Sequence, residues 1–416
     1  MAAHARLQDP VPPAARPLPG QIRALCRRVP ALLVLLVLAA SMPLTTGSAR
    51  AEDRVTVRGN YHRETSTRVL QPLVTFRKEL PDERFALETE YLLDVISSAS
   101  IAAGALALGG DKVFTEMRHE ATLRATTKID DWSASAYYLY STETDYTANS
   151  FGVSVARELL QRTATVSLSY SASFDQVYRI TNNIGARSPW TSSRDTNLLQ
   201  VHYLNLGYSH VLHKQVLAGV TVEGKYAEGP QDNPYRRARN GDPEIHPWVR
   251  RRLAPSLWLR AAVPGAKMFV EPHYRFYADD WGVVGHAADM RVHFRPHRNL
   301  ALRLRYRFYT QSEATFWRDD GVWAADYPWR SDDPKLDDFR SHTVGLKLTW
   351  HLDGIAKFQG LGWLDGAWIQ ANYNHVFVRC DDLSATCSDQ DFGYGPVRST
   401  RYGDQRIGNL AFSVAF

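Results

Sequence analysis

The sequence predicts an all-β fold: a transmembrane antiparallel β-barrel of about sixteen strands, within a range of about 14–18, with short periplasmic turns and long external loops. Three observations carry that expectation. From residue 54 onward polar and apolar residues alternate with period two, the mark of strands whose two faces meet different solvents. Several alternating runs last ten to fourteen residues, whereas globular strands cluster near ~5–6 and a tilted membrane-crossing strand needs ~9–11. Finally, short and long connections take turns along the chain.

The alternation is clearest over Glu116–Ile129. Arg118, Glu120, Thr122, Arg124, Thr126 and Lys128 share one face, and His119, Ala121, Leu123, Ala125 and Ile129 share the other. Asn299–Gln311 repeats the arrangement, with Leu300, Leu302, Leu304, Tyr306 and Phe308 opposite Arg303, Arg305, Arg307, Tyr309 and Gln311. Burying such arginines in a dry core would be prohibitive. One greasy and one wet face therefore fit a sheet closed on itself in lipid with its wet face inward.

Sixteen candidate strands start near residues 54, 69, 84, 116, 132, 150, 163, 198, 215, 253, 266, 284, 299, 340, 364 and 404. Short connections fall at Pro81–Glu83, Asp130–Asp131, Leu159–Arg162, His213–Lys214, Pro264–Gly265 and Pro296–Arg298. Long ones fall between them, at 95–115, 177–197, 228–252, 313–339 and 379–403. The stretch 353–363 is the exception, a longer connection on the short side. The chain ends Leu410, Phe412, Val414, Phe416, alternating to a terminal aromatic of the kind the barrel-assembly machinery reads. Trp132, Tyr138, Tyr140, Tyr208, Trp350 and Trp368 lie near strand ends, where interface girdles belong.

Charged residues make up 22% of the 416 and mean hydropathy is −0.34; no apolar run of ~20 residues could cross a bilayer as a helix. Val29–Ala40 is greasy but short, follows Arg23, Arg27 and Arg28, and precedes Ala49-Arg50-Ala51. This is the layout of a secretory leader, expected to span 1–51 and leave Glu52 as the first residue of a single barrel domain, 52–416. The leader holds six of the 49 Lys and Arg and one of the 44 Asp and Glu, leaving 43 of each. The apparent basicity thus belongs to the export signal, and nucleic-acid binding loses its electrostatic footing. Cys26 leaves as well, so Cys380 and Cys387 remain as an expected disulfide in an external loop.

Several phrases resemble those of a family of uncharacterised Gram-negative outer-membrane β-barrel proteins known as a domain of unknown function. They include Tyr91-Leu92-Leu93-Asp94, Ser141–Tyr146, Asn233-Pro234-Tyr235-Arg236 and Glu244-Ile245-His246-Pro247. Tyr274–Trp281 and Tyr306–Gln311 complete the set. The resemblance runs over nearly the whole mature chain, implies an outer-membrane barrel and brings no reaction with it. On the strand map these phrases gather at the external mouth. Asp94, Asp145, Tyr235, Arg236, Glu244, His246, Asp279, Asp280, Trp281 and Gln311 either form a ligand vestibule there or brace the loops.

Catalytic signatures are weak. Gly104–Gly110 lacks a phosphate-loop pattern and no G-x-S-x-G elbow occurs. His246 with Glu244, or His286 with Asp280, can be drawn as acid–base pairs, but pairings of this kind arise by chance among so many histidines. The acids Asp381, Asp382, Asp389 and Asp391 suit Ca²⁺ without matching an EF-hand. No cofactor, metal or nucleic-acid partner is expected; the expected partners are outer-membrane lipid and the assembly machinery.

A barrel of ~16 strands encloses water rather than side chains alone. Here the lumen would carry Arg118, Arg124, Arg275, Arg291, Arg295, Arg303, Arg305 and Arg307 among Glu116, Glu120 and Glu271. The expected function is a channel with mild preference for anions. The alternative is a non-conducting barrel that anchors or binds a partner through its loops, plugged by a segment such as the apolar Ile101–Leu108; an enzyme is a distant third.

Overall fold

Alternation becomes pairing in the computed structural model. It describes residues 53–64, 67–80, 84–98, 114–181, 186–189, 197–232, 238, 242–318, 320–379 and 404–416. The strands are β1 (Arg54–Arg63), β2 (Thr67–Glu79), β3 (Phe85–Ser98), β4 (Phe114–Ile129), β5 (Trp132–Thr142) and β6 (Tyr146–Leu159). Next come β7 (Ala164–Thr181), β8 (Ala186–Pro189), β9 (Leu198–His213), β10 (Val216–Glu228), β11 (Val249–Val263) and β12 (Met268–Asp279). The last five are β13 (Val284–His297), β14 (Leu300–Gln311), β15 (Phe339–His351), β16 (Trp368–Arg379) and β17 (Gln405–Ala415).

Each barrel strand pairs antiparallel with its neighbours. β1 closes the ring by pairing with β2 (Arg54↔Arg77) on one side and β17 (Arg54↔Ala415) on the other. Closure removes both edges, the condition for placing a sheet in hydrocarbon, where each unpaired backbone group costs several kcal/mol. β8 pairs only with the end of β7, Tyr178↔Pro189, so sixteen strands form the barrel. The hairpin of β7 and β8 stands where the sequence implied loop alone. Strand starts fall within four residues of those expected.

Period two now has a direction. Leu123, Leu168, Leu206, Leu257, Leu304, Val344 and Leu410 point outward around the ring, each 50–60% exposed. Leaving such side chains to water forgoes ~1.5–3 kcal/mol apiece, so this surface belongs in lipid. On the inner face two glycines make room for rings: Tyr137 lies over Gly152 and Trp258 over Gly219, each occupying the space a Cβ would fill.

At the short-turn end, Asp130 takes φ 52° in the β4–β5 turn, a left-handed conformation Asp tolerates well. The exceptional connection after β15 is real and ordered. Helix α1 (Asp353–Ala356) and a 3₁₀ turn (Gly362–Leu364) pack Leu352, Leu364 and Ala367 against Ile369, Phe412 and Val414. At the other end the parity of lengths is imperfect, because 64–66, 143–145 and 280–283 are also short. The leader, Ile101–Leu108, and the pair Cys380 and Cys387 lie outside the described residues.

Candidate functional site: the inner wall and its mouth

The inner face of β11–β14 carries a continuous chain of ion pairs, with a separate pair between β12 and β10. Arg305 donates to Asp289 through Nε at 3.0 Å and Nη2 at 2.5 Å. Arg291 bridges Asp289 at 3.2 Å and Glu271 at 2.8 Å, and Glu271 also accepts from Arg260 at 2.9 Å. Arg275 reaches Glu223 at 2.6 Å. Arg291 and Asp289 are two residues apart on one face of β13; the other partners sit on adjacent strands at same-face positions, so the pleat brings them together at cross-strand or diagonal spacing. Two arginines of β14 stand outside the chain. Arg303 donates to Asn372 at 3.4 Å, and Arg307 lies over the Tyr309 ring at 5.4 Å. Among the described residues neither is paired with a carboxylate.

A smaller charged group faces inward from β3 and β4. Arg118 holds the buried Asp94 at 2.6 Å and lies 3.8 Å from Glu120. Arg124 is 3.6 Å from Glu88 and stacks over Tyr137 at 5.1 Å. Asp94, expected at the external mouth, is thus part of the inner wall. Arg295 sits at the short-turn end, where it donates to the Arg298 carbonyl at 2.7 Å. Glu116 lies in β4, but its side chain is outside the described set.

From β5 to β9 the inner wall changes character. Ser135 and Ser154 bond hydroxyl to hydroxyl at 2.7 Å, and Ser150 and Ser173 at 2.6 Å. Ser173 also donates to Asp175, which accepts from Tyr146 as well. Ser167 lies against Gly207. This surface is rich in hydroxyls, with Asp175 as the acid that they share.

The mouth is built by the described residues of 229–248 and 312–338, among them 242–248, 312–318 and 320–338, which pack on the turn after β12. Asp279 organises it, accepting from Arg250 at 2.5 Å, from Tyr277 at 2.7 Å, and from the backbone N–H groups of Trp281 and Val283 at 3.0 Å each. Trp281, only 3% exposed, is sandwiched between the Arg250 guanidinium at 4.0 Å and Phe316 at 5.2 Å, in a cluster with Val283, Ala314 and Leu336. His246 packs edge-on to Trp281 at 5.2 Å, and burial pushes its pKa below the ordinary value. Gln311 donates to the carbonyls of Lys335 at 3.1 Å and Asp337 at 2.7 Å. Because Gln311 shares the inward face of β14 with Arg307, these bonds bring 335–337 over the inner wall. Beneath lies a cavity of about 300 Å³ lined by Arg250, Arg275, Arg307, Lys335, Tyr277 and Tyr309.

The acid–base pairings do not take catalytic form. Ser331 donates to Glu244 at 2.7 Å, while Glu244 is 4.0 Å from His246. The hydroxyl therefore bonds the carboxylate rather than the imidazole, and Ser331 is fully buried. His286 and Asp280 do not meet: His286 bonds Tyr274 at 2.7 Å on the outer face, and Asp280 is 3.2 Å from Arg251. Of the other mouth candidates, the Asp145 carbonyl accepts from Tyr178 N–H at 2.7 Å, and Tyr235 and Arg236 lie outside the described residues. Sequence reasoning missed Glu313, Asp337 and Asp338, whose carboxylates lie within 4.8 Å of one another and offer hard oxygen ligands. They come together only through the folding of one long loop. The pairing of Arg250 with Asp279 was not legible either, because spacing along a chain does not reveal cross-strand register.

A closed sixteen-strand barrel, apolar outside and polar within, defines an integral membrane β-barrel. Residues 98–361 match the family described as "Protein of unknown function (DUF3570)", and the chain belongs to that family. Among solved structures it is similar to OccD3 (OpdP) of Pseudomonas aeruginosa, at 8% identity and a TM-score of 0.46, covering 89% of this chain and 93% of that one. It is similar also to CdiB from Acinetobacter baumannii, at 8% and 0.45, covering 88% and 60%. OccK2 (OpdF) of P. aeruginosa, solved in complex with glucuronate, matches at 9% and 0.40, covering 88% and 98%. No curated protein matches the chain.

Proposed function

We propose that this chain is a channel in the outer membrane of a Gram-negative bacterium and that it passes small anionic solutes. The observation that carries the reading is the excess of cation on one wall. Arg303 and Arg307 remain after the acids of β10–β13 are satisfied, and Arg307 opens into the cavity shared with Arg250, Arg275 and Lys335. Guanidinium forks match carboxylate geometry and hold charge at any working pH. A file of them gives an anion successive shallow sites, and conduction needs binding weak enough to be left again.

In this reading residues 1–51 are a cleaved leader, the long loops face outside, and Cys380 and Cys387 are bonded there. The terminal strand ending at Phe416, whose ring lies 6.0 Å from Phe76, is the segment presented to the assembly machinery. The reversal potential of the purified protein in a planar bilayer under a salt gradient tests the proposal. A shift toward the anion potential is expected, and a shift toward the cation potential overturns it.

One observation favours a second reading, a plugged barrel that works through its loops: 335–337 lie over the inner wall, held by Gln311. Absence of any conductance from a heat-modifiable, folded sample would select it.

A further inference from the structure

At the rim between β16 and β2 the outer apolar belt gives way to a row of cations. At the long-loop end, register sets His375 of β16 opposite Arg406 of β17. Arg406 is opposite Arg63 of β1, and Arg63 is opposite Arg68 of β2. Arg63 and Arg68 flank a tight hairpin closed by Glu64 N–H to the Thr67 carbonyl at 2.9 Å. All three arginines are exposed and share the outward parity of Tyr61, Leu70 and Leu410. One step down each strand lies an apolar row, Tyr373, Gly408, Tyr61 and Leu70. Two residues of strand span ~7 Å, so hydrocarbon-facing surface passes to guanidinium within the depth of a headgroup layer.

Like charges directly opposite one another on a sheet destabilise it, and here three stand side by side. Among the described residues no carboxylate pairs with Arg63, Arg68 or Arg406. The nearby acid, Asp404, is 3.4 Å from Arg379 and 3.8 Å from His375. Elsewhere on the same rim Arg251, also outward, is satisfied by Asp280 at 3.2 Å. On the inner wall Arg291 and Arg305 are likewise interleaved with acids. A row lacking interleaved acids suits an anion supplied from outside the chain, and its position selects one fixed to a lipid. Phosphate is the group that guanidinium forks bind in bidentate fashion.

We propose that Arg406, Arg63 and Arg68, bounded by His375, form a binding site for the phosphate groups of an anionic glycolipid in the outer leaflet. The lipid's acyl chains would lie along Tyr61, Leu70 and Leu410. The proposal rests on the outer-membrane reading with the long loops outside, and is independent of whether the lumen conducts.

The test is native mass spectrometry of the full mature barrel in non-ionic detergent, titrated with diphosphorylated lipid A, with its dephosphorylated form, and with inorganic phosphate as competitor. The wild type should retain the diphosphorylated lipid and not the dephosphorylated one. Binding should weaken roughly fivefold for each arginine removed, about a hundredfold in Arg63→Gln/Arg68→Gln/Arg406→Gln. Arg251→Gln should bind as the wild type does. Heat-modifiable gel mobility reports folding separately; were the triple variant not to fold, Arg63→Gln alone should show the fivefold loss. Equal retention by the arginine variants overturns the site, as does indifference to phosphorylation, an equal loss in Arg251→Gln, or full displacement of the lipid by millimolar inorganic phosphate. Conductance and fractionation are separate readouts, so failure here leaves the channel reading standing and the reverse also holds.

Discussion

The two sides of the inner wall solve one problem in opposite ways. Around a ring of sixteen, β14 stands eight strands from β5, so the serine wall begins across the lumen from β14, while the arginine–carboxylate chain on β11–β13 faces β2–β4 and the charges of Arg118 and Arg124. Both follow from the same period-two pattern. On β11–β14 Asp289 and Glu271 each serve two arginines, while Arg303 and Arg307 stand outside these pairs. On β5–β7 the inward residues pair with one another, as Ser135 does with Ser154 and Ser150 with Ser173. In the proposed channel the charged wall would select among solutes and depend on its pairings, and the serine wall would be indifferent to solute charge. An anion held at β14 would meet the first strand of the serine wall across the lumen.

Several measurements would break or sharpen that contrast. The largest stability effect is expected away from both walls: Trp281→Ala empties the centre of the mouth cluster and should cost roughly 3–5 kcal/mol there. Faster proteolytic nicking within 312–338, with heat-modifiable mobility retained, is the expected result. On the charged wall, Asp289→Asn strips Arg305 and Arg291 of a shared partner. A loss of about 1–3 kcal/mol, read as a lower unfolding temperature, should accompany a reversal potential moved further toward anions.

Acidification should act on the mouth before the walls. Burial holds the His246 pKa below its ordinary 6.5, so the loosened loop takes up a proton more readily than the packed one. The stability this neutral imidazole permits is present above that value and is lost as pH falls below it. Nicking of 312–338 should therefore rise between neutral pH and about pH 5, and a flat profile would contradict the packing described. The smallest effect belongs to the serine wall. Ser150→Ala should change stability by no more than about 1 kcal/mol and leave selectivity unaltered.

Architecture was legible in the chain because alternation is a local signal. Leu300–Gln311 reveals its two faces without reference to any other strand. The partners were not legible, since they depend on register. Asp94 reads as a mouth residue by its nearness to a long loop and lies near that end of β3, but only the register with β4 shows that Arg118 is its partner. Glu244 and Ser331 are 87 residues apart and meet only when two loops dock. His286 looked like a partner for Asp280 because they are close in sequence, but strand parity sends it to the outer face. The connection at 352–367 broke the short-turn pattern because it buries an apolar core of its own.

The central claim is that unpaired cation on the β14 wall sets the selectivity of the pore. It is tested most directly by the reversal potential of the wild type and of Arg303→Glu/Arg307→Glu in the same bilayer and salt gradient. Both arginines lie outside the ion-pair chain, so the substitution changes the wall's charge without removing a partner from Asp289 or Glu271. The account predicts an anion-directed potential for the wild type and a cation-directed one for the variant. An unchanged potential in the variant, or a cation-selective wild type, would contradict it.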